Sequence, residues 1–195
     1  MQGTHQASIE SAPTERRYVN HKEHVMQQGW SITPSFARRA LQLGVVAGFR
    51  SQLPLALLSG MIQASPTAAP LPGPFNWLHS PRILTALRIA AVGETVGDKL
   101  PFVPSRLEPG PFIGRLAFGG AAAAGFAMVA HQPPVPAALL GVAGGAAGSV
   151  AGNRARGYLT FAAGLPDQVG AVLEDLLAIG LGINAVGGMK PVNNH

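Results

Sequence analysis

Residues 116–153 read LAFGGAAAAGFAMVAHQPPVPAALLGVAGGAAGSVAGN, and no charged side chain occurs between Arg115 and Arg154. A helix on the surface of a soluble protein shows one apolar stripe and one polar face. This run has no polar face, because small and apolar residues occupy the whole circumference. A membrane span needs ~20 residues at a 1.5 Å rise, so the run is too long for one span and suits two. His131-Gln132-Pro133-Pro134 divides it where a tight turn belongs. The stretch therefore predicts a pair of close-packed membrane helices.

The rest of the chain agrees with that reading. Only 12% of the 195 residues are charged, with 14 Lys+Arg and 9 Asp+Glu, about half the ~25% usual in soluble domains. Glycine (25) and alanine (31) are abundant and cysteine is absent. Intrinsic disorder needs low hydrophobicity and high net charge, and a disulfide scaffold or thiolate metal site needs Cys. The net charge of +5 forms no Lys/Arg stripe, so a nucleic-acid partner is not expected. Residues 1–34 carry three basic and three acidic side chains and read as a polar cytoplasmic tail. His5, His21 and His24 lie there without the fixed spacing that metal ligation needs. No metal or other cofactor is expected. Residues 35–190 read as the transmembrane helical domain and 191–195 as a short C-terminal tail.

Working outward, three further apolar segments appear near 36–63, 83–98 and 167–187. The first is interrupted by Arg50 and Pro54, and the last opens at Pro166-Asp167, a helix-start signal. The fold class expected is all-α: an integral membrane bundle of about five transmembrane helices. With five spans, Arg38, Arg39, Lys99, Arg106, Arg115, Arg154 and Arg156 fall on or near one side, against Arg82 and Lys190 on the other. The positive-inside bias then puts the chain in the inner (plasma) membrane with a cytoplasmic N-terminus and an external C-terminus. Residues 64–81, with five Pro and no charge, read as an extended outer loop that holds Phe75 and Trp77 at headgroup level.

Residues 44–50 (GVVAGFR) and 148–154 (GSVAGNR) share G-x-V-A-G-x-R, and Ala91-Val92-Gly93-Glu94 and Ala171-Val172-Leu173-Glu174 share A-V-x-E. Five spans would make these two halves run in opposite directions, as an inverted repeat. That architecture is common in secondary transporters, which bind substrate at interrupted helices near the midplane.

A charge at the bilayer centre costs ~2.5–3.5 kcal/mol on insertion scales and so pairs or lines a polar cavity. The residues expected to form such a cavity are Arg50, Glu94, Asp98, Lys99, Arg154, Glu174 and Asp175. Two roles fit them. In a transporter or channel-like protein for a small anionic solute or lipid headgroup, Arg50 and Arg154 would meet the anion and the carboxylates would serve as proton or cation sites. In a structural or accessory subunit, Arg50 and one carboxylate would form an interhelical ion pair. Convergence of Arg50 and Glu174 on a cavity favours the first role and direct pairing the second. No hydrolase, metalloprotease or phosphate-loop motif is present, so no enzyme is expected. The glycine pairs Gly44/Gly48, Gly141/Gly145 and Gly144/Gly148 read as small-xxx-small helix interfaces. Partners expected are membrane lipids and a homo-oligomer or larger membrane complex.

The blocks Gly48-Phe49-Arg50…Pro54-Leu55, Glu94…Asp98-Lys99-Leu100-Pro101, Pro111…Gly114 and Leu173-Glu174-Asp175 occur in an order that resembles the bacterial multi-pass membrane proteins grouped as domain of unknown function 4126. The resemblance covers about residues 41–187. Phe49 and Gln52 stand where Leu and Phe are usual, and Pro104-Ser105-Arg106-Leu107 replaces an acidic stretch. The resemblance implies membrane helices and marks Arg50, Glu94, Asp98, Lys99, Glu174 and Asp175. It implies no activity.

Overall fold

The computed structural model describes residues 32–65, 70–97 and 107–187; the expected tail over 1–34 lies almost wholly outside them. Among the described residues all regular structure is helical: α1 (Pro34–Phe49), α2 (Leu53–Ala64), a short 3-10 helix (Gly73–His79), α3 (Pro81–Gly97), α4 (Pro109–Val129), α5 (Pro134–Phe161) and α6 (Asp167–Val186). Proline occupies the first or second position of α1, α2, α4 and α5, where its missing N–H is no loss and its fixed φ suits the helix. Helices α4, α5 and all but the first residue of α6 are long and apolar enough to cross a membrane. The 116–153 run divides as expected, with α4 ending at Val129 and α5 starting at Pro134.

The first apolar segment differs from the expected single interrupted span. It folds back on itself at Arg50-Ser51-Gln52 into a helical hairpin. Helix α1 runs antiparallel to α4: the Phe36 and Phe126 rings stack with centroids 5.0 Å apart, while Arg115 Nη1 reaches the Gly48 carbonyl at 2.7 Å. Helix α2 runs with α4, since Leu58 packs at Gly125. Against α6 the pattern repeats. Arg50 pairs with Asp175 and Gln42 donates to Asn184 along an antiparallel α1, whereas Leu57 packs at Gly182 along a parallel α2. At 16 and 12 residues the two arms are ~24 and ~18 Å long, short of the ~30 Å hydrocarbon core.

The hairpin changes the parity of the chain. The start of α1 and the end of α6 lie at one end of the bundle, hereafter the open end; the Arg50–Gln52 tip points toward the other. The orientation count changes with it. Arg38 and Arg39, at the start of α1, join Arg82 at the open end, opposite Arg154 and Arg156 on the last turns of α5. The inverted repeat is also lost. Gly44 lies against Gly141, Val45 against Gly148, and Gly48 against Ser149, so the two G-x-V-A-G-x-R helices run parallel and in contact. A two-fold axis in the membrane plane would need them antiparallel.

Small residues explain how closely α1, α4 and α5 approach. A Cβ on Gly44 would sit on the Gly141 carbonyl, and one on Gly119 would lie 2.6 Å from the same oxygen. The two glycine pairs on α5 serve different neighbours. Gly141 and Gly145 face α4 at Gly119 and Arg115-Leu116, whereas Gly144 and Gly148 face α1 at Leu41 and Val45. Large apolar side chains point outward instead. Val172, Leu173, Leu176, Leu177 and Ile183 on α6 and Ile89, Val92 and Val96 on α3 are exposed, while Arg50, Ser59, Arg115, Ser149 and Glu174 are buried. An exposed surface this apolar, with a few charges buried inside, suits lipid better than water.

Candidate functional site

The hairpin tip is where the buried charges gather. Ending α1 at Phe49 leaves its last carbonyls without helical donors, and in an apolar setting each unsatisfied one costs several kcal/mol. Side chains meet the carbonyls of Gly48 and Phe49. Arg115 Nη1 donates to the carbonyls of Gly48 (2.7 Å) and Phe49 (3.0 Å). Ser149 Oγ lies 3.5 Å from the Gly48 oxygen and donates to Gly145 O at 2.8 Å. The Arg50 carbonyl accepts from Leu53 N at 3.2 Å, which restarts the chain as α2. Positive charge beside the negative end of a helix is also favourable in its own right.

Each arginine also has an acid. Arg50 Nε pairs with Asp175 on α6, their side chains being 3% and 19% exposed. Arg115 Nη2 pairs with Glu94 on α3 at 3.0 Å, at 5% and 15% exposed. Glu94 Oε1 further accepts from Ser51 Oγ at 3.0 Å, so the tip is tied to α3 as well. Its other oxygen, Oε2, is buried without a hydrogen-bond partner among the described residues. Asp175 lies eight residues into α6 and Arg115 six into α4, depths of ~12 and ~9 Å along those helices.

Among the expected site residues, Arg50, Glu94 and Asp175 meet at this tip. Glu174 is buried beside it, with Oε1 3.0 Å from where a Cβ on Gly152 of α5 would stand. Arg50 pairs with Asp175, the neighbour of the Glu174 singled out from sequence. Arg154 is exposed on the outer side of α5 and is not gathered with Arg50, although the sequence repeat aligns them. Asp98 and Lys99 lie outside the described residues. Arg115, Ser51 and Ser149 carry the site without having been singled out from sequence. Arg115 marks the edge of the uncharged run and reads as a helix-end charge. The available signal was Pro109, which starts the helix almost two turns earlier and so carries Arg115 inward.

Fold and site together define a class: a small all-helical protein with helices able to span a membrane, a short helical hairpin, and paired charges buried at its tip. The chain belongs to the family described as a domain of unknown function (DUF4126), whose model matches residues 39–187, about three quarters of its length. No curated protein and no solved structure matches it.

Proposed function

We propose that this is a polytopic protein of the plasma membrane that moves a small anionic solute or lipid headgroup, with the anion displacing Asp175 from Arg50. The observation that carries the reading is the non-helical tip at Arg50-Ser51-Gln52. Irregular backbone at membrane depth is tolerated where it is buried in protein or lines a polar path, and interrupted helices are where secondary transporters bind substrate. Asp175 and Glu94 are more exposed than the arginines they hold, which suits carboxylates that can swing away while the guanidinium stays. The buried Glu94 Oε2 supplies an acceptor for a coupling proton or a donor group of the solute. The site then comprises Arg50, Glu94, Asp175 and Arg115, with Glu174 beside it; Asp98 and Lys99 follow Glu94 in sequence. No covalent chemistry is assigned to it.

Orientation is part of the same proposal. Among the arginines of the described helices that are not buried, Arg38, Arg39, Arg82 and Arg88 belong to open-end halves, against Arg154 and Arg156 at the tip end. Four against two under the positive-inside bias supports a cytoplasmic open end together with the start of α1. The start of α1 keeps the side expected from sequence; the end of α6 joins it there.

A structural or accessory role is the second reading, and one observation favours it. Both arginines are already matched to acids by direct pairs, and Arg115 also holds two carbonyls. Flux and stability separate the two. Proteoliposomes loaded with a small-anion panel are compared for wild type and Arg50→Gln. The transport reading expects flux in wild type and its loss in the variant while the protein stays folded. A wild type that moves none of the anions, with a variant that only melts earlier, would leave the structural role.

A further inference from the structure

The charges outside the tip are distributed unevenly. Every acidic residue of the described segments (Glu94, Glu108, Asp167, Glu174 and Asp175) belongs to the tip-end half of its helix or to the tip-end connection before it. The open-end halves carry Arg38, Arg39, Arg82 and Arg88 and no acid. Three of these arginines sit in the first two turns of α1 or α3. Arg88 does not. It is seven residues into α3, ~10 Å from its start, exposed between the exposed Ile89 and the buried Leu84 and Leu87.

Its side chain takes a definite seat. Arg88 Nη2 lies 3.7 Å from where a Cβ on Gly60 of α2 would be, with Leu84 Cδ1 at 3.9 Å from the same point. A Cβ there would be in ordinary van der Waals contact with the guanidinium, so the Arg88 head lies beside α2 at Gly60 and a larger side chain would take its place. Because α2 and α3 are antiparallel, with Ser51 opposite Glu94 and Gly60 opposite Leu84 and Arg88, this seat draws the charge toward the open end. That is the direction in which a membrane arginine snorkels. The 3-10 helix with Phe75 and the exposed Trp77 flanks the same end, at the level aromatic anchors occupy. Gln63, one turn along α2 from Gly60, is engaged with Ser59 Oγ, Leu78 O and Ser80 O and supplies no negative charge.

We propose that Arg88, seated beside Gly60, binds the phosphate of an anionic phospholipid in the open-end leaflet. A guanidinium at the acyl–headgroup boundary, with no carboxylate in its half of the described bundle, is satisfied by a lipid phosphate, for which its planar fork is suited. The proposal rests on the membrane reading of the chain and is separate from solute movement at the tip.

The test uses the full chain purified in dodecyl maltoside. Adding phosphatidylglycerol should raise the melting temperature by about 3 °C, while phosphatidylcholine or inorganic phosphate should not. Arg88→Gln should lose more than half of that shift, and Arg82→Gln should keep it. Gly60→Leu retains the charge but fills its seat and should also weaken the shift, which keeps the test usable if Arg88→Gln folds poorly. An equal shift in wild type and both Arg88→Gln and Gly60→Leu would overturn the proposal, as would an equal effect of phosphatidylcholine or of free phosphate. Dissociation of an oligomer on Arg88→Gln with the lipid shift intact would assign the guanidinium to a second copy instead. Partition of the native chain into water and not detergent would overturn the membrane reading itself, a failure distinguishable from loss of lipid selectivity.

Discussion

Arg115 of α4 binds the last turn of α1 through the Gly48 carbonyl, 2.7 Å from its Nη1, and so holds the hairpin at its bend. The same guanidinium meets Glu94 through Nη2, so one side chain joins α1, α3 and α4. Removing it strands two carbonyls and a carboxylate together. Arg115→Gln is therefore expected to destabilise the folded protein by about 3 kcal/mol, in the range for breaking a buried pair. Denaturant unfolding in mixed micelles measures this. A change within about 0.5 kcal/mol would mean that the carbonyls find other donors and the bend does not depend on Arg115.

The close approach of three helices gives a second expectation. Gly44→Ala and Gly141→Ala each place a Cβ on a backbone carbonyl, which no rotamer change relieves. Both should sharply lower the yield of folded monodisperse protein. Gly93 and Gly110 have no neighbouring atom within 4 Å of where a Cβ would stand, so alanine there meets open space. Gly93→Ala should be neutral or stabilising by up to ~1 kcal/mol, the helix-propensity difference. Size-exclusion profiles and melting temperatures of the four variants make the comparison. Equal behaviour of all four would show that the interface is looser than these contacts require.

What the sequence made legible was periodicity and absence of charge. The 38-residue uncharged run, its turn at His131–Pro134, the helix start at Asp167 and the glycine interfaces on α1 and α5 all follow from local rules. The direction taken after Arg50 does not. Pro54 signals an interruption, but a break permits either a continued span or a reversal. The choice is made by tertiary contacts: Leu58 with Gly125 and Leu57 with Gly182 on one arm, Phe36 with Phe126 on the other. The inverted repeat failed for the same reason, since its parity depended on α1 and α2 being one crossing. Arg50, Glu94 and Asp175 were legible as charges that must pair. Which carboxylate faces Arg50 was not, because Glu174 and Asp175 are adjacent and differ by about 100° around α6. The packing of α6 against α1 and α5 brings Asp175 to Arg50 and buries Glu174 beside Gly152.

That division of roles is testable through coupling. Arg50→Gln and Asp175→Asn remove opposite ends of one pair, so their effects should be non-additive by roughly 1–3 kcal/mol in a double-mutant cycle. Arg154→Gln, on the exposed side of α5, should change stability by no more than about 0.5 kcal/mol and show no coupling to Asp175→Asn. Additive effects of Arg50→Gln and Asp175→Asn would mean that the pair contributes no mutual stabilisation. Coupling of Arg154 to Asp175 would mean that the two arginines share one site after all.

The hairpin makes the sharpest expectation, because it sets which residues face the same solution. The chain contains no cysteine, so single cysteines can be introduced without background. Ser35 begins α1, Asn76 lies in the 3-10 helix and Ala163 in the α5–α6 connection, and all three are exposed. A hairpin returns the chain to its starting side, so Ser35→Cys and Asn76→Cys should react with a membrane-impermeant maleimide from one face of sealed vesicles. Ala163→Cys, at the tip end, should react from the other. A continuous first span would instead separate Ser35 from Asn76 and put Ala163 with Ser35. Inverted and right-side-out vesicles report the two patterns with opposite labelling of Asn76→Cys relative to Ser35→Cys, and the second pattern would replace the hairpin with a crossing.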